Sequence, residues 1–453
     1  MGVMDALMAG RAGLAAADAG VAATSHNVAN ASTPGFTRRG VEQSTGTPVR
    51  RGGLWIGGGP RVDAIARRSD ALLGARRITA TANEASASER MSVLMQAETA
   101  LADGPGALRP TLDGFFNSLT RATQDPGDPA LRAEVLDRAS VMADSFNRSA
   151  ESLVEIRDAQ FDRVEIHAEE INDVLGRIAS LNGELEAAGG AVVAGDLADE
   201  RDRLLRTAAE VVGAEVHIEQ DGQATVFIGG HAAVSGRDAR WVSTDRTGSV
   251  PVLTLAVDRG VVNLDAGGRI GGAIDAAIKA ESYLTSLDTI AQELSDAVNT
   301  VHQSGFDATG TAGQQLFTYD PTDPASSMSL ATVMVDNPDA LAFAATTPAA
   351  SGDGDNLRAL MSIETLTLPS GQTAGDAMSA VVSAVGRDVA SAARAADQHG
   401  QTLNDLETLT ANLEGVDLDE EAGNLLMYQA AYRAAAKVIA TSDALMGALM
   451  EII

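Results

Sequence analysis

Residues 4–30, MDALMAGRAGLAAADAGVAATSHNVAN, and residues 425–453, LLMYQAAYRAAAKVIATSDALMGALMEII, carry matched seven-residue apolar repeats at the two ends of the chain. The repeated positions are Leu7, Leu14, Val21 and Val28 in the first stretch and Leu425, Tyr432, Ile439, Met446 and Ile453 in the second. Residues spaced by seven lie on one face of an α-helix, and a lone helix cannot bury its own apolar face. We therefore predict that the terminal helices pair as a coiled coil, with each other or with copies in neighbouring molecules. All of these positions except Ile453 form the predicted assembly interface.

The composition excludes several kinds of partner and chemistry. The chain has 453 residues, no cysteine and a formal net charge of -29. It therefore forms no disulfide and offers no thiolate to a metal. Nucleic acid is excluded as the main ligand, because a chain this acidic repels phosphates. A chain of this length is expected to contain about two to four domains.

No catalytic, cofactor-binding or metal-binding set of residues is predicted. The six histidines include no pair at the spacing of a metal site, and no phosphate loop, nucleophile elbow or zincin helix is present. Asp353, Asp355 and Glu364 match three positions of a calcium-binding loop. Arg358 stands where that loop requires glycine, so a helix-capping loop is favoured. The acidic run at 417–421 is interpreted as a helix N-terminus rather than a catalytic pair, because carboxylates there offset the helix dipole.

The sequence contains no conventional signal for a membrane or for secretion. No uninterrupted apolar run approaches the ~20 residues of a membrane span, so no membrane insertion is predicted. The first ten residues carry an acid, Asp5, and no basic residue, unlike the positive start of a secretory signal. Taken alone, these facts place the protein in the cytoplasm unless it leaves by another route.

Helices are predicted to dominate both flanks of the chain. The first covers residues 4–30 and ends before Pro34-Gly35, a pair that suits the centre of a type II turn. Residues 36–60 are predicted to be irregular and extended, with helical periodicity resuming near Ala64. Further helices are predicted over 72–102, 107–123, 129–188, 270–304, 357–363 and 374–413.

A small β unit interrupts these helices. Residues 215–229 alternate about Asp221-Gly222, which predicts a hairpin, and a second strand pair is predicted over 252–257 and 261–264. The predicted fold class is mainly α with a small β unit (α+β): a terminal coiled coil, a long helical bundle and an outer β-containing domain. The predicted parts are residues 1–62 with 405–453 for the coiled coil, 63–205 with 267–304 and 356–404 for the bundle, 206–266 for the β domain, and 305–355 for a loop-rich segment.

Several stretches resemble the axial proteins of the bacterial flagellum, a family of rod, hook and hook-associated proteins. The terminal signatures are NVANASTPGFTR at 27–38, GVDLDEE at 415–421 and LLMYQAAYRAAAKVI at 425–439. The family motif positions within them are Asn27, Asn30, Pro34, Gly35, Asp419, Glu420 and Glu421. Three internal stretches favour the hook-associated branch over hook or rod proteins: DLADERDRLL at 196–205, VNTVHQSGFD at 298–307 and GDN at 354–356.

The resemblance implies a structural subunit at the junction between hook and filament. It implies that the terminal helices form an inner coiled-coil tube around the export channel, with the bundle as a second layer and the β unit further out. The implied partners are copies of the chain, the hook protein, the next hook-associated junction protein, a flagellar export chaperone on the C-terminal helix, and the flagellar type III export apparatus. The protein would be cytoplasmic before export and extracellular afterwards, with no cofactor.

Two alternatives stay open at this point. A hook or distal rod protein shares both terminal signatures but usually has a middle region richer in strands. An enzyme using the β unit as a substrate site would need a pocket with convergent polar groups, and no residue set suggests one. For the structural subunit, we expect both terminal segments to be largely disordered in the monomer and to become ordered on stacking.

Overall fold

The computed structural model describes residues 2–51, 54–101, 107–190, 194–219, 222–258, 260–347 and 352–450. Three features of the sequence lie outside these residues: Ile453 of the C-terminal repeat, Asp221 of the predicted hairpin turn, and the loop at 103–106. None of the helices in the described ranges has both the length and the apolar character that crossing a membrane requires.

Ten α-helices make up most of the described chain. They are α1 (Val3–Asn30), α2 (Ala71–Leu101), α3 (Leu108–Ala122), α4 (Pro129–Ala187), α5 (Gly195–Val212), α6 (Gly268–Gln303), α7 (Pro324–Ser327), α8 (Asp355–Met361), α9 (Ala374–Glu414) and α10 (Leu418–Met450). Short 3-10 helices lie at Pro338–Ala340 and Ser362–Thr365. The predicted helices over 129–188 and 374–413 agree with α4 and α9 to within one residue at each end.

Thirteen short strands complete the described part of the fold. They are β1 (Arg39–Thr45), β2 (Val49–Arg51), β3 (Leu54–Ile56), β4 (Pro60–Arg67), β5 (Glu215–Ile218), β6 (Ala224–Ile228), β7 (His231–Ser235), β8 (Asp238–Ala239), β9 (Val242–Asp245), β10 (Val252–Val257), β11 (Gly260–Asn263), β12 (Phe317–Thr318) and β13 (Ser329–Leu330). They form small antiparallel sheets in the orders β1-β4, β2-β3, β5-β6-β7-β8, β11-β10-β9 and β12-β13. The predicted fold class, mainly α with a small β unit, is confirmed.

The two terminal helices lie side by side and run antiparallel. Gly10 of α1 lies opposite Ile439 of α10, and Gly20 lies opposite Tyr428. A Cβ atom on Gly20 would stand 2.4 Å from the Tyr428 ring, so glycine is what permits this approach. Small residues thus bring the two helix backbones close together.

A large apolar core holds the bundle together. It joins side chains of α2, α3, α4, α6, α8 and α9, and its fully buried aromatic residues are Phe115, Phe146, Phe317 and Phe343. The ring of Phe115 packs edge-on against that of Phe317, with 6.0 Å between ring centroids. Helix α4, 59 residues long, begins at Pro129 because the Asp128 carboxylate accepts the Ala130 N–H at 2.7 Å.

A second core lies under the β unit. Strands β6, β7, β9 and β10 pack their buried faces on α5 and on parts of α4 and α6. Two asparagines of α4 fix the strands in place. The Asn182 side chain bonds the backbone N–H and carbonyl of Ala224, and Asn172 does the same at Val242. The β unit is therefore anchored on the far end of the long helix.

The region after α1 differs from the prediction. Residues 36–60 are more regular than expected, because β1 and β4 pair as a long antiparallel ribbon from Arg39–Arg67 to Thr45–Pro60. Ala64 lies in β4, so the expectation of helix near Ala64 is wrong. Alternate residues of β4 are half-buried, as in a strand, but the alanines among them favour helix by propensity and hide the pattern. The next helix begins only at Ala71, where Asp70 accepts the N–H groups of the following turn.

The segment 305–355 contributes to the bundle core. It is mostly loop with short extended pieces, as predicted, yet its Phe317 and Phe343 side chains are fully buried. Continuous elements cross three of the predicted boundaries between parts: β4 crosses 62/63, α5 crosses 205/206 and α9 crosses 404/405. The assignment of separate roles to these parts stays a prediction.

Candidate assembly interface

None of the eight described positions of the predicted interface is fully buried in the single chain. Leu7, Leu14, Val21, Leu425, Ile439 and Met446 are half-buried, and Val28 and Tyr432 are exposed. The fully buried residues of α1 are instead small or polar: Gly10, Ala16, Ala17, Gly20, Ala23, Thr24 and Asn27. The contact between α1 and α10 thus uses the small positions of α1, against which Tyr428, Val438 and Ile439 of α10 pack.

Exposed apolar side chains are concentrated on the terminal helices. Of the 24 large hydrophobic residues that are exposed in the described ranges, 12 lie on α1, on α10 or in the last two turns of α9. Met427, Val438 and Leu445 are among them, and helical geometry places these three on one face of α10, next to the side that meets α1, where Val438 also borders Gly10. A surface this apolar is typical of an interaction site.

The N-terminal signature closes α1 and starts the ribbon. The Asn27 side chain donates to the Arg39 carbonyl and accepts the Arg39 N–H, both at 2.9 Å. Asn30 donates to the His26 carbonyl at 3.0 Å. The Phe36 N–H then bonds the carbonyl at position 33, with Pro34 exposed and Gly35 at φ 80°, which makes the predicted type II turn. The motif therefore turns the chain back along α1.

Arg38 binds the start of α10. Its Nη1 and Nη2 donate to Glu420 at 3.0 and 2.6 Å, and its Nε donates to Glu421 at 2.6 Å. The Arg38 and Glu421 side chains are 9% and 2% exposed, whereas that of Glu420 is 54% exposed. Hydrogen bonding to Arg38 holds the pKa of Glu420 below its usual range. Asp417 accepts the N–H of the exposed Asp419 at 2.9 Å, so the acidic run does begin a helix, as predicted.

A row of aspartates on α5 receives the next two arginines of the ribbon. Arg39 donates to Asp196 at 2.6 Å and to Asp199 at 3.1 Å. Arg67 lies 2.8 Å from Asp199 and 2.5 Å from Asp202. Burial lowers the pKa of Arg67, and the charges of Asp202 and Asp199 outweigh this and raise it. The ribbon is therefore pinned to the bundle by ion pairs that are mostly shielded from water.

Sequence reasoning missed Arg38, Arg39 and Arg67 as site residues. The spacing of three between the aspartates of α5 places them on one helix face, and Arg38-Arg39 directly follows the proline-glycine turn. These patterns indicate charged surfaces. A single sequence does not show which carboxylate pairs with which arginine when the two lie more than 100 residues apart in the chain.

The candidate calcium loop closes on its own backbone. The Asp353 carboxylate accepts the N–H groups of Ala345, Thr346 and Asp355 at 3.1 to 3.3 Å. In the described ranges, no group of three or more His, Cys, Asp or Glu side chains is placed to hold a metal ion.

Two family models match this chain. The first is described as the flagellar hook-associated protein FlgK helical domain and matches residues 94–317. The second is described as the flagellar basal body rod FlgEFG protein C-terminal region and matches residues 412–452. The first covers the buried residues of the second core and part of the first, and the second covers nearly all of α10.

Similar proteins extend this likeness over the whole chain. Flagellar hook-associated protein 1 of Escherichia coli (strain K12) is 24% identical over 537 residues, covering 97% of this chain and 98% of that protein. Its counterpart in Bacillus subtilis (strain 168) is 24% identical over 490 residues, covering 96% of each. The solved flagellar hook junction protein FlgK from Burkholderia pseudomallei has a TM-score of 0.65 at 14% identity, covering 75% of this chain and 99% of that chain. At this identity the structural likeness concerns the fold.

Proposed function

This chain belongs to the flagellar hook-associated protein 1 family and is a structural component of the bacterial flagellum, and we propose that it joins hook to filament by stacking its terminal helices with those of other copies. The observation that carries the proposal is the concentration of exposed apolar side chains on α1 and α10. Stacking would remove these side chains from water, which stabilises an assembly by about 25 cal/mol for each Å² buried.

The partners follow from the same surface and from the family. Copies of the chain, the hook protein below and the next hook-associated junction protein above would cover the terminal helices after assembly. Before assembly, an export chaperone would cover the apolar faces of α10 in the cytoplasm. The absence of cysteine suits passage through the type III export apparatus, because no disulfide has to be broken or formed on the way.

The terminal pair is proposed to be the least stable part of the free chain. None of the large apolar side chains described on its two helices is fully buried, so the pair buries little apolar area per residue and local opening costs little free energy. Stacking adds burial on the outer faces and offsets the entropy of ordering both helices. No catalytic step is proposed for any residue.

A substitution at the predicted interface tests this function. Ile439→Asp places a charge beside Gly10 in the contact between α1 and α10 and is expected to abolish incorporation into flagella, while the bundle stays folded. The matched control is Ala444→Asp, an exposed position on the helix face that carries Arg433 and Lys437, where a carboxylate is tolerated. Electron microscopy and immunoblots of isolated flagella give the incorporated amount. Normal filaments with Ile439→Asp would reject the proposal.

The alternative, a hook or distal rod subunit, draws support from the family model at residues 412–452. The helical middle of the chain favours the junction subunit, because the hook-associated model covers 94–317. A deletion strain separates the two. Hooks that lack filaments and shed flagellin are expected for a junction subunit, whereas loss of the hook itself would support the alternative.

A further inference from the structure

Hairpin β2–β3 presents one of the two tryptophans of the chain in an exposed position. Trp55 is 69% exposed, and Arg50, its partner across the antiparallel pair, is exposed as well. Residues directly opposite each other on two strands point to the same side, so the indole ring and the guanidinium group form one surface. Tryptophan and arginine are among the residues that contribute most to binding at protein interfaces. We call the surface of Arg50 and Trp55 the hairpin tip.

The sequence around the hairpin tip is basic, although the chain as a whole is acidic. Residues 43–62 contain three arginines and no Asp or Glu, whereas the chain has a formal net charge of -29. Arg50 forms no ion pair with any residue in the described ranges. Its positive charge is therefore available to a partner.

A surface of the opposite charge lies where α9 ends and α10 begins. Residues 405–421 contain seven Asp and Glu and no Lys or Arg. Three leucines of this stretch are about half exposed: Leu409 (55%), Leu413 (48%) and Leu418 (56%). Because Asp405, Leu409 and Leu413 are spaced by four, they share one face of α9. We call the surface formed by the exposed residues of 405–421 the acidic leucine face.

Arg38 neutralises only part of the acidic leucine face. It binds Glu420 and Glu421 through three hydrogen bonds. Asp405 and Asp419 are exposed, and neither forms an ion pair within the described part of the chain. The acidic leucine face therefore combines uncovered apolar side chains with unpaired negative charge, which is the complement of an aromatic ring beside an arginine.

The hairpin tip and the acidic leucine face lie at opposite ends of the terminal pair. Arg38 contacts the start of α10, and Arg39 beside it bonds Asn27 of α1. The hairpin ends near Gly59, where a Cβ atom would stand 3.2 Å from that of Ala12. The 15 residues of α1 from Ala12 to Asn27 span about 22 Å. The two surfaces are therefore too far apart to meet within one chain.

We propose that the hairpin tip of one copy docks on the acidic leucine face of a second copy, so that copies connect head to tail in the assembled flagellum. The inference rests on the proposed function and adds the place and the chemistry of one contact between copies. In this contact the ring of Trp55 would cover Leu409 and Leu413, and the guanidinium group of Arg50 would pair with Asp405.

The placement of the two surfaces identifies a second copy as the occupant. Complementary surfaces at opposite ends of one molecule produce a heterologous contact, which can repeat from copy to copy. Nucleic acid and anionic lipid carry the right charge for the hairpin tip, but the net charge of -29 repels both. In the proposed contact the apolar side chains supply the burial, and the charges set the register.

Substitution of the hairpin tip in the full-length chain tests the contact. Trp55→Ser with Arg50→Glu removes the ring and reverses the charge, and it is expected to lower incorporation into flagella about tenfold. The matched control is Trp241→Ser with Arg240→Glu, the same change at the other tryptophan, which is 64% exposed, and at its exposed neighbour. The control should incorporate as the unmodified chain does, and Trp55→Phe with Arg50→Lys should retain most incorporation. Equal incorporation of the tip variant and its control would overturn the proposal.

Photo-crosslinking identifies the occupant directly. p-Benzoylphenylalanine in place of Trp55 keeps an aromatic side chain at the hairpin tip and leaves Arg50 intact. Irradiated flagella should give a product of twice the chain mass. Mass spectrometry should find the link in the tryptic peptide 395–433, which contains the whole acidic leucine face because no Lys or Arg interrupts it.

The other results of this experiment contradict the proposal. A link to another protein, a link to a different part of the second copy, or flagella that give no product of doubled mass would each overturn it. Failure of the unmodified chain to enter flagella would instead refute the proposed function itself.

Discussion

The terminal helix pair and the helical bundle are both built from long helices, but they differ in the number and polarity of the side chains that they bury. Of the described side chains of α10, 33 residues long, only those of Glu421 and Ser442 are fully buried, and both are polar. Helix α4, 59 residues long, buries 23 residues, most of them apolar, including Phe146 and Leu175. The bundle therefore has a core of its own, whereas the terminal pair has a contact surface that copies of the chain would complete.

The difference lies in how the helices approach each other. In the bundle, large side chains fill the space between helices, and each fully buried one contributes about 2 kcal/mol or more. In the terminal pair, glycines of α1 let the backbones approach and pack against Tyr428, Val438 and Ile439 of α10, while the other large apolar side chains described on α10 stay exposed or half-buried. Close approach fixes geometry but gives little stability, so the stabilising burial is left to the assembly.

The largest expected effect tests the bundle side of this comparison. Phe146→Ala removes a fully buried ring from the core and should lower the free energy of unfolding by about 3 to 5 kcal/mol. Urea unfolding followed by circular dichroism measures this loss. Ile166→Ala on the same helix, at a side chain 62% exposed, should change the free energy of unfolding by less than about 0.5 kcal/mol. Equal effects of the two substitutions would show that α4 is not held by its core.

Arg38→Gln tests the link between the two regions. It leaves the buried Glu421 carboxylate without its cation, which should lower the free energy of opening of the terminal pair by about 2 kcal/mol, most of it from Glu421 because Glu420 is half solvated. Amide hydrogen exchange in α1 and α10 reports the opening. Arg61→Gln, which breaks an exposed ion pair in the same ribbon, serves as the control. Unchanged protection of the α10 amides from exchange in Arg38→Gln would mean that the ion pairs of Arg38 with Glu420 and Glu421 do not hold α10.

Gly20→Ala tests close approach itself. The added methyl group would meet the Tyr428 ring at 2.4 to 2.6 Å, so the helices must separate or the ring must move, at a cost of about 1.5 kcal/mol in the terminal pair. Gly13→Ala is the matched control, since its methyl group would lie at an ordinary 3.5 Å from that of Ala435. Hydrogen exchange of α1 should be faster in Gly20→Ala and unchanged or slower in Gly13→Ala. Slow exchange in α1 and α10 of the unmodified monomer, comparable with the bundle, would contradict the sequence-based expectation that these helices order on stacking.

Much of the fold follows from local patterns in the sequence. The 3.6-residue periodicity and the Asp128-Pro129 start define α4, and the mostly apolar run at 252–257 predicts β10 with the same bounds. These features depend on residues close together in the chain. The ribbon of β1 and β4 escaped prediction because its alternating positions include alanine and arginine, which do not distinguish a strand from a helix surface.

The site was less accessible from the sequence than the fold. The heptad positions identified the interacting helices, but the buried positions proved to be the small ones, Gly10 and Gly20. A glycine has no side chain whose pattern reveals a contact. The ion pair between Arg38 and Glu421 joins positions 383 residues apart. A sequence shows which residues are charged but does not show which of them lie close together in the fold.

The smallest expected effect is a pH dependence of stability that the bundle should show and the terminal pair should not. His302 is fully buried in the bundle, where its Nδ1–H donates to the Gln314 carbonyl and its Nε2 accepts the Ala342 N–H at 2.9 Å. The neutral ring satisfies both partners, and burial lowers the pKa of His302. The unfolded chain, with a histidine pKa of about 6.5, binds a proton that the native state excludes, so stability is complete above that pH and falls as the pH drops below it.

The expected loss from His302 between pH 7 and pH 5.5 is about 1 kcal/mol, close to the upper limit of about 1.2 kcal/mol that linkage sets over this interval for a group whose unfolded pKa is about 6.5. Urea unfolding of the bundle at both values measures it, and His302→Gln supplies the reference, because the carboxylates and the other histidines titrate alike in both chains. The unmodified chain should therefore lose about 1 kcal/mol more than His302→Gln over this interval. Exchange of α1 and α10 amides, corrected for the intrinsic effect of pH, should show no such difference, because the terminal pair does not contain this ring. Parallel pH dependence in the two chains would mean that the buried ring accepts a proton in the native state.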